Sequence, residues 1–230
     1  MRQIFLDTET TGLEPSEGHR IIEIGCVEVI DSVITESHFQ SYFNPQRRVD
    51  VGARQVHGLD DAFLSDKPVF ADVAPDWLGW MSGADEVVMH NAEFDRGFVE
   101  AELQRLQGVD VSPWRSCTCI DALSQARMQL PGLHSYSLDN LCRTLGIDLE
   151  DRRDVHGALI DATLLAHAYL RMMGQQCEMT MTISDYAAVV VGDGDGDADG
   201  PALIVQRASP DELALHEAFL RRMQPRSGDG

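Results

Sequence analysis

Residues 4–12, IFLDTETTG, constrain this chain more than any other stretch. The apolar half, Ile4-Phe5-Leu6, reads as a buried strand. Two carboxylates follow it, Asp7 and Glu9, standing two residues apart. Side chains alternate across a strand, so both carboxylates share one face. Like charges on one face repel unless a cation lies between them. Hard divalent cations such as Mg2+ and Mn2+ take oxygen ligands of this kind. A D-x-E pair alone also fits a solvated strand end, so its meaning depends on what the rest of the chain brings to that face.

The next elements are legible from their periods. Residues 20–30 (RIIEIGCVEVI) are rich in β-branched side chains, residues 32–43 alternate, and the short junction between them predicts a hairpin. Residues 69–80 read as a helix, 86–90 (EVVMH) as a short buried strand, and 93–106 as a second helix. Ser137 is placed to cap a helix that starts at Leu138. Residues 158–173 carry Leu159, Ala162, Leu165, Ala166 and Tyr169 at helical spacing. Antiparallel strands first, then strands alternating with helices, imply an α/β fold with a mixed sheet flanked by helices. Trp77 and Trp80 read as packing residues of their helix, and Cys117-Thr118-Cys119 as part of a strand. The five cysteines form no C-x-x-C pair, no apolar run approaches a membrane span of roughly 18–20 residues, and no signal-peptide pattern opens the chain. Reduced thiols and a cytoplasmic setting follow as expectations.

Two further acidic positions stand out. Asp95 follows the EVVMH strand in the first turn of a helix, where the helix dipole favours a carboxylate. Asp161 lies among Leu159, Ile160, Leu164 and Leu165, an apolar neighbourhood in which a carboxylate needs a partner. His156 precedes it by five residues.

Taken together, D-x-E, N-x-x-F-D and H-x-x-x-x-D, in this order, resemble the DEDDh family of 3′–5′ exonucleases. The flanking words LDTETTG, VHG at 56–58, HN at 90–91 and HGA at 156–158 match as well. The resemblance runs from about Arg2 to Met173. Within the family the chain looks most like the proofreading epsilon subunits of bacterial DNA polymerase III, on the strength of IIEIG at 21–25 and the words around 211–217. It implies an RNase H-like fold and two divalent cations, Mg2+ or Mn2+, held by Asp7, Glu9, Asp95 and Asp161. It implies His156 as general base. Asp7, Glu9, Thr10, Gly12, Leu13, His57, Phe94 and Asp161 would meet the DNA 3′ end, with Gly12 letting backbone approach the terminal nucleotide. An RNA-trimming relative and an inactive scaffold are the competing readings. The extra C-terminal segment argues against the first and the full carboxylate–histidine set against the second.

The tail divides by composition. Residues 1–174 read as the exonuclease domain. Residues 176–181 (QCEMTM) resemble a sliding-clamp-binding peptide, with Gln176, Met179 and Met181 as its anchors. Residues 192–200 (GDGDGDADG) have the makeup of a flexible acidic linker. Their likeness to a calcium loop fails at its twelfth position, Gln206. Domain 175–200 is thus clamp peptide and linker. In 201–230, Ser209-Pro210-Asp211-Glu212 starts a helix with Leu215, Phe219 and Met223 in one stripe. Such a segment needs a surface to cover it, and the resemblance implies the catalytic alpha subunit of the polymerase. The net charge of −20 opposes binding of free DNA and leaves two readings: the chain does not act on nucleic acid, or a partner delivers the strand end to it.

Overall fold

The computed structural model describes residues 1–149 and 157–180, and the side chains only as far as Gly174. His156, Met181, the acidic linker and residues 201–230 lie outside the described residues.

Five strands form one sheet in the order β3-β2-β1-β4-β5. They are β1 (Arg2–Thr10), β2 (Ile21–Ile30), β3 (Val33–Tyr42), β4 (Glu86–Met89) and β5 (Thr118–Asp121). β1, β2 and β3 pair antiparallel, while β4 joins β1 and β5 joins β4 in parallel. The expected mixed sheet is therefore present. The hairpin between β2 and β3 turns through Asp31 and Ser32, both at positive φ.

The pleat of β1 sorts its side chains. Ile4 and Leu6 enter one core with Trp77, Leu78 and Met81 of α3 (Phe70–Met81) and Phe98 and Val99 of α4 (Ala92–Leu103). Phe5 enters the core on the other face. There it meets Leu141 of α7 (Leu138–Thr144) and Ala162, Leu165 and Tyr169 of α8 (Ala158–Thr180). The Phe5 and Tyr169 rings stand edge to face at 5.5 Å. Both tryptophans of α3 pack as expected: Trp77 is fully buried, and Trp80 bonds Ser37 through its indole nitrogen at 3.1 Å.

Four short helices escape the periodic reading: α1 (Val51–His57), α2 (Asp61–Leu64), α5 (Ser112–Ser116) and α6 (Ala122–Gln129). None spans enough turns for a 3.6-residue pattern to declare itself. Helix α8 continues to Thr180, past the point where its apolar period fades. Gln176 and Met179 fall on its backbone, with side chains outside the described residues. Among the described residues Cys26, Cys117, Cys119 and Cys142 are free thiols, and no helix is long and apolar enough to cross a membrane.

A buried ion pair fixes α4 to the turn between β1 and β2. Arg20 donates from Nε and Nη2 to the two oxygens of Glu102, at 2.5 and 2.7 Å. Glu102 is 2% exposed, so a bidentate partner is what makes its burial tolerable.

Candidate active site

The face of β1 that carries Phe5 next presents Asp7 and Glu9, as alternation requires. Asp161 meets them from the first turn of α8. One carboxylate oxygen from each residue lies within 4.8 Å of the others. Glu9 and Asp161 are buried, and Asp7 is half-buried. Three hard oxygen donors so close together suit a divalent metal cation.

What lets α8 come this close is Gly25, the residue of β2 opposite Asp7. A Cβ at Gly25 would stand 2.2 Å from the carbonyl carbon of Ala158 and from the nitrogen of Leu159. Only glycine allows the first turn of the helix to lie directly on the sheet here. Glu23, opposite Glu9, is 1% exposed. Gln40 of β3 donates to it at 2.8 Å, and the Tyr42 hydroxyl and the Ala158 amide stand near enough to favour its charged form. Burial pushes the Glu23 carboxyl above its ordinary value, against those three groups. Burial, with the Glu23 charge next, pushes the Tyr42 hydroxyl up to about 12.

Asp95 approaches from the opposite edge of β1. The ladder to β4 ends at Phe5 and Val88, so the Thr8 amide has no strand partner on that side. Asp95 supplies one. Its Oδ1 accepts from the Thr8 amide at 3.0 Å and from the Thr8 hydroxyl at 2.7 Å. Burial pushes the carboxyl up to about 7 against those bonds. Asp95 is thus held beside the site, outside the group formed by Asp7, Glu9 and Asp161.

Beside Glu9 opens a mostly apolar cavity of about 400 Å³. It gathers Thr10, Gly12, Leu13, His57 and Phe94, five residues that the sequence singled out, together with Thr8, Asp50 and Val56, which it did not. Leu13 is 77% exposed at the rim, and the Thr10 hydroxyl donates to the Gly12 carbonyl at 2.7 Å, tightening the turn that projects it. The bareness of Gly12 also serves an internal neighbour: a Cβ there would stand 2.2 Å from the ring of His19. His57 Nδ1 accepts from the Leu59 amide at 3.0 Å, which puts the proton of a neutral ring on Nε2. Thr8, Glu23 and Gly25 entered the sequence reading only as letters of the words LDTETTG and IIEIG, because their roles depend on which helix crosses which strand.

Comparison with known proteins places these observations. A family model described as "Exonuclease" matches residues 4–169. The chain is 43% identical to DNA polymerase III subunit epsilon of Salmonella typhimurium over 99% of this chain and 95% of that one. It is 41% identical to the Escherichia coli subunit of the same name, again over 99% and 95%. Among solved structures it is similar to exonuclease X in complex with 5′-overhanging duplex DNA, with a TM-score of 0.59 and 28% identity over 76% of this chain and 93% of that one. It shares its fold with E. coli exonuclease I in complex with a dT13 oligonucleotide, with a TM-score of 0.63 at 18% identity, over 80% of this chain and 43% of that one.

Proposed function

The chain belongs to the exonuclease family and, within it, to the DNA polymerase III epsilon subunits, and on that premise we propose which of its residues carry each part of the reaction. It is a 3′–5′ DNA exonuclease that proofreads as a subunit of DNA polymerase III. The family uses divalent metal ions, and the acidic cluster on β1 and α8 fits them.

The observation that carries the assignment of roles is the convergence of Asp7, Glu9 and Asp161 beside the apolar cavity. In our reading these three residues, with Asp95 alongside, hold two cations, Mg2+ or Mn2+. Bound there, the cations supply positive charge to the scissile phosphate, the attacking water and the leaving 3′ oxygen. Leu13 and Phe94 flank the terminal nucleotide, and Thr10, Gly12 and His57 line its seat. His156 takes the proton from the attacking water, a task suited to an imidazole with its ordinary pKa near 6.5. The products are nucleoside 5′-monophosphates. Residues 201–230 dock on the catalytic alpha subunit, and Gln176, Met179 and Met181 engage the sliding clamp. The setting is the bacterial cytoplasm.

The test is a primer labelled at its 5′ end and mispaired at its 3′ end, incubated with Mg2+ or Mn2+, beside an RNA oligonucleotide of the same sequence. Wild type should shorten the DNA by single nucleotides and act less on the RNA. Asp7→Ala should abolish cleavage while keeping the far-UV circular dichroism of the wild type. His156→Ala should lower kcat by roughly 10²–10⁴-fold, with Mn2+ affinity unchanged in calorimetry. Full activity in Asp7→Ala would defeat the metal reading, and wild-type kcat in His156→Ala would defeat the base.

A further inference from the structure

The fourth buried carboxylate of this region, Glu23, lies outside the group that Asp7, Glu9 and Asp161 form. Its surroundings differ in kind from theirs. Three polar groups from two different elements converge on it: the Gln40 amide, which donates at 2.8 Å, and the Tyr42 hydroxyl from β3, and the backbone amide of Ala158 from α8. Ala158 is the first residue of α8, where backbone N–H groups have no partner inside the helix. An acidic side chain reaching the first amide of a helix, from a neighbouring strand, performs the work of a cap and also favours the positive end of the helix dipole. One register step along β2, Gly25 clears the surface on which that turn rests. Two residues before Ala158 stands His156, and three residues after it stands Asp161.

We propose that Glu23 is a positioning residue that clamps the first turn of α8 to β2 and β3, and so sets Asp161 against Asp7 and Glu9. The proposal rests on the metal reading above. It makes the reach of the Glu23 side chain the quantity that matters, with its charge secondary. Glutamine keeps both the reach and an acceptor oxygen for the Ala158 amide, and Gln40 can turn its own amide to match. Aspartate keeps the charge but is one methylene short. A residue acting as a direct metal ligand, or through its charge, would show the opposite order, tolerating aspartate better than glutamine.

The experiment uses the full-length chain with Mn2+ as the probe, titrated by calorimetry, alongside steady-state hydrolysis of a short single-stranded oligonucleotide. Glu23→Gln should bind Mn2+ and turn over close to wild type. Glu23→Asp should lose on the order of 10–100-fold in Mn2+ affinity, the scale found when groups that orient metal ligands are removed. Its kcat should fall in parallel while KM stays put, because the nucleotide cavity lies against other residues. Wild-type Mn2+ affinity in Glu23→Asp, or equal damage in both variants, would overturn the clamp while leaving the metal reading intact. A wild-type chain that binds no Mn2+ would overturn the metal reading and the clamp with it.

Discussion

At Gly12 a single missing side chain links the outer wall of the nucleotide cavity to an inner support. The His19 ring is 6% exposed and fills the place where a Cβ would stand. It is held there by Thr11, whose hydroxyl oxygen accepts from the Arg20 amide at 3.0 Å and whose hydrogen is then available to His19 Nδ1, also at 3.0 Å. The opposite ring nitrogen faces Asp50 at 3.6 Å and Glu17 at 3.9 Å. The turn that carries Leu13 is therefore supported from beneath by one imidazole with little room to yield. Gly12→Ala should overpack it and cost about 1–3 kcal/mol of stability, read as a lower urea midpoint at constant slope. Combining it with His19→Ala, which removes the obstructing ring, should cost less than the sum of the two single changes. Strict additivity in that cycle would show that the ring is not what the alanine meets.

At the scale of elements, one side chain joins three pieces of the scaffold behind the site. Asp121, the last residue of β5, caps α6 by accepting from the amides of Leu123 and Ser124. The same carboxylate accepts from the amides of Asn91 and Ala92 at 3.1 Å each. It thereby stabilises the turn from β4 into α4, where Asn91 takes a left-handed conformation that asparagine tolerates better than most residues. Partial burial works against the charge, yet the hydroxyl of Ser124 and the amides of Ala92, Leu123 and Ser124 hold the Asp121 carboxyl below its ordinary value. A depressed folded-state pKa means stability that is present above the unfolded carboxylate pKa and lost as pH falls through the folded one. Asp121→Asn should therefore be less stable than wild type near neutral pH, by about 0.5–2 kcal/mol if the lost cap dominates. The gap should narrow as the solution is acidified below about pH 4. A gap in urea denaturation that is independent of pH would contradict the charged cap. None of this was legible in the sequence, where Asp121 is an acid between Ile120 and Ala122 with no pattern around it. The long elements were legible because the apolar run of β1, the β-branched run of β2, the alternation of β3 and the 3.6-residue period of α8 each declare themselves in the sequence. The face shared by Asp7 and Glu9 was legible for the same reason. The separate station of Asp95 was not: it depends on the β4 ladder stopping at Phe5, short of Thr8, a fact of strand length and register.

For the whole molecule the governing quantity is charge. At −20, with Lys67 as its only lysine, the chain has little of the cationic surface whose counterion release drives binding to nucleic acid. Arginines are also committed internally: Arg20 to Glu102, Arg2 to Glu28 and Arg96 to Glu100. An enzyme built this way gains little from colliding with free DNA, and its cavity offers an apolar seat and a carboxylate cluster in place of a basic track. Proofreading nonetheless requires the primer end to be sampled often. On the proposed docking of residues 201–230, attachment to the polymerase would meet that requirement without any basic patch, since a tether raises the local concentration of one site at another to roughly the millimolar range. Removal of residues 192–230 should accordingly leave hydrolysis of a short single-stranded oligonucleotide nearly unchanged, because Asp7, Glu9, Asp161 and the cavity all lie within residues 1–174. The same deletion should eliminate co-purification with the alpha subunit and the gain in rate that the polymerase gives on a primed, mispaired template. Raising the salt should weaken what activity the truncated chain shows on free primer only slightly, since few phosphate contacts to lysine or arginine are there to be screened. Retention of wild-type affinity for the alpha subunit by the truncated chain would remove the tether from the account and require the exonuclease domain itself to carry the contact.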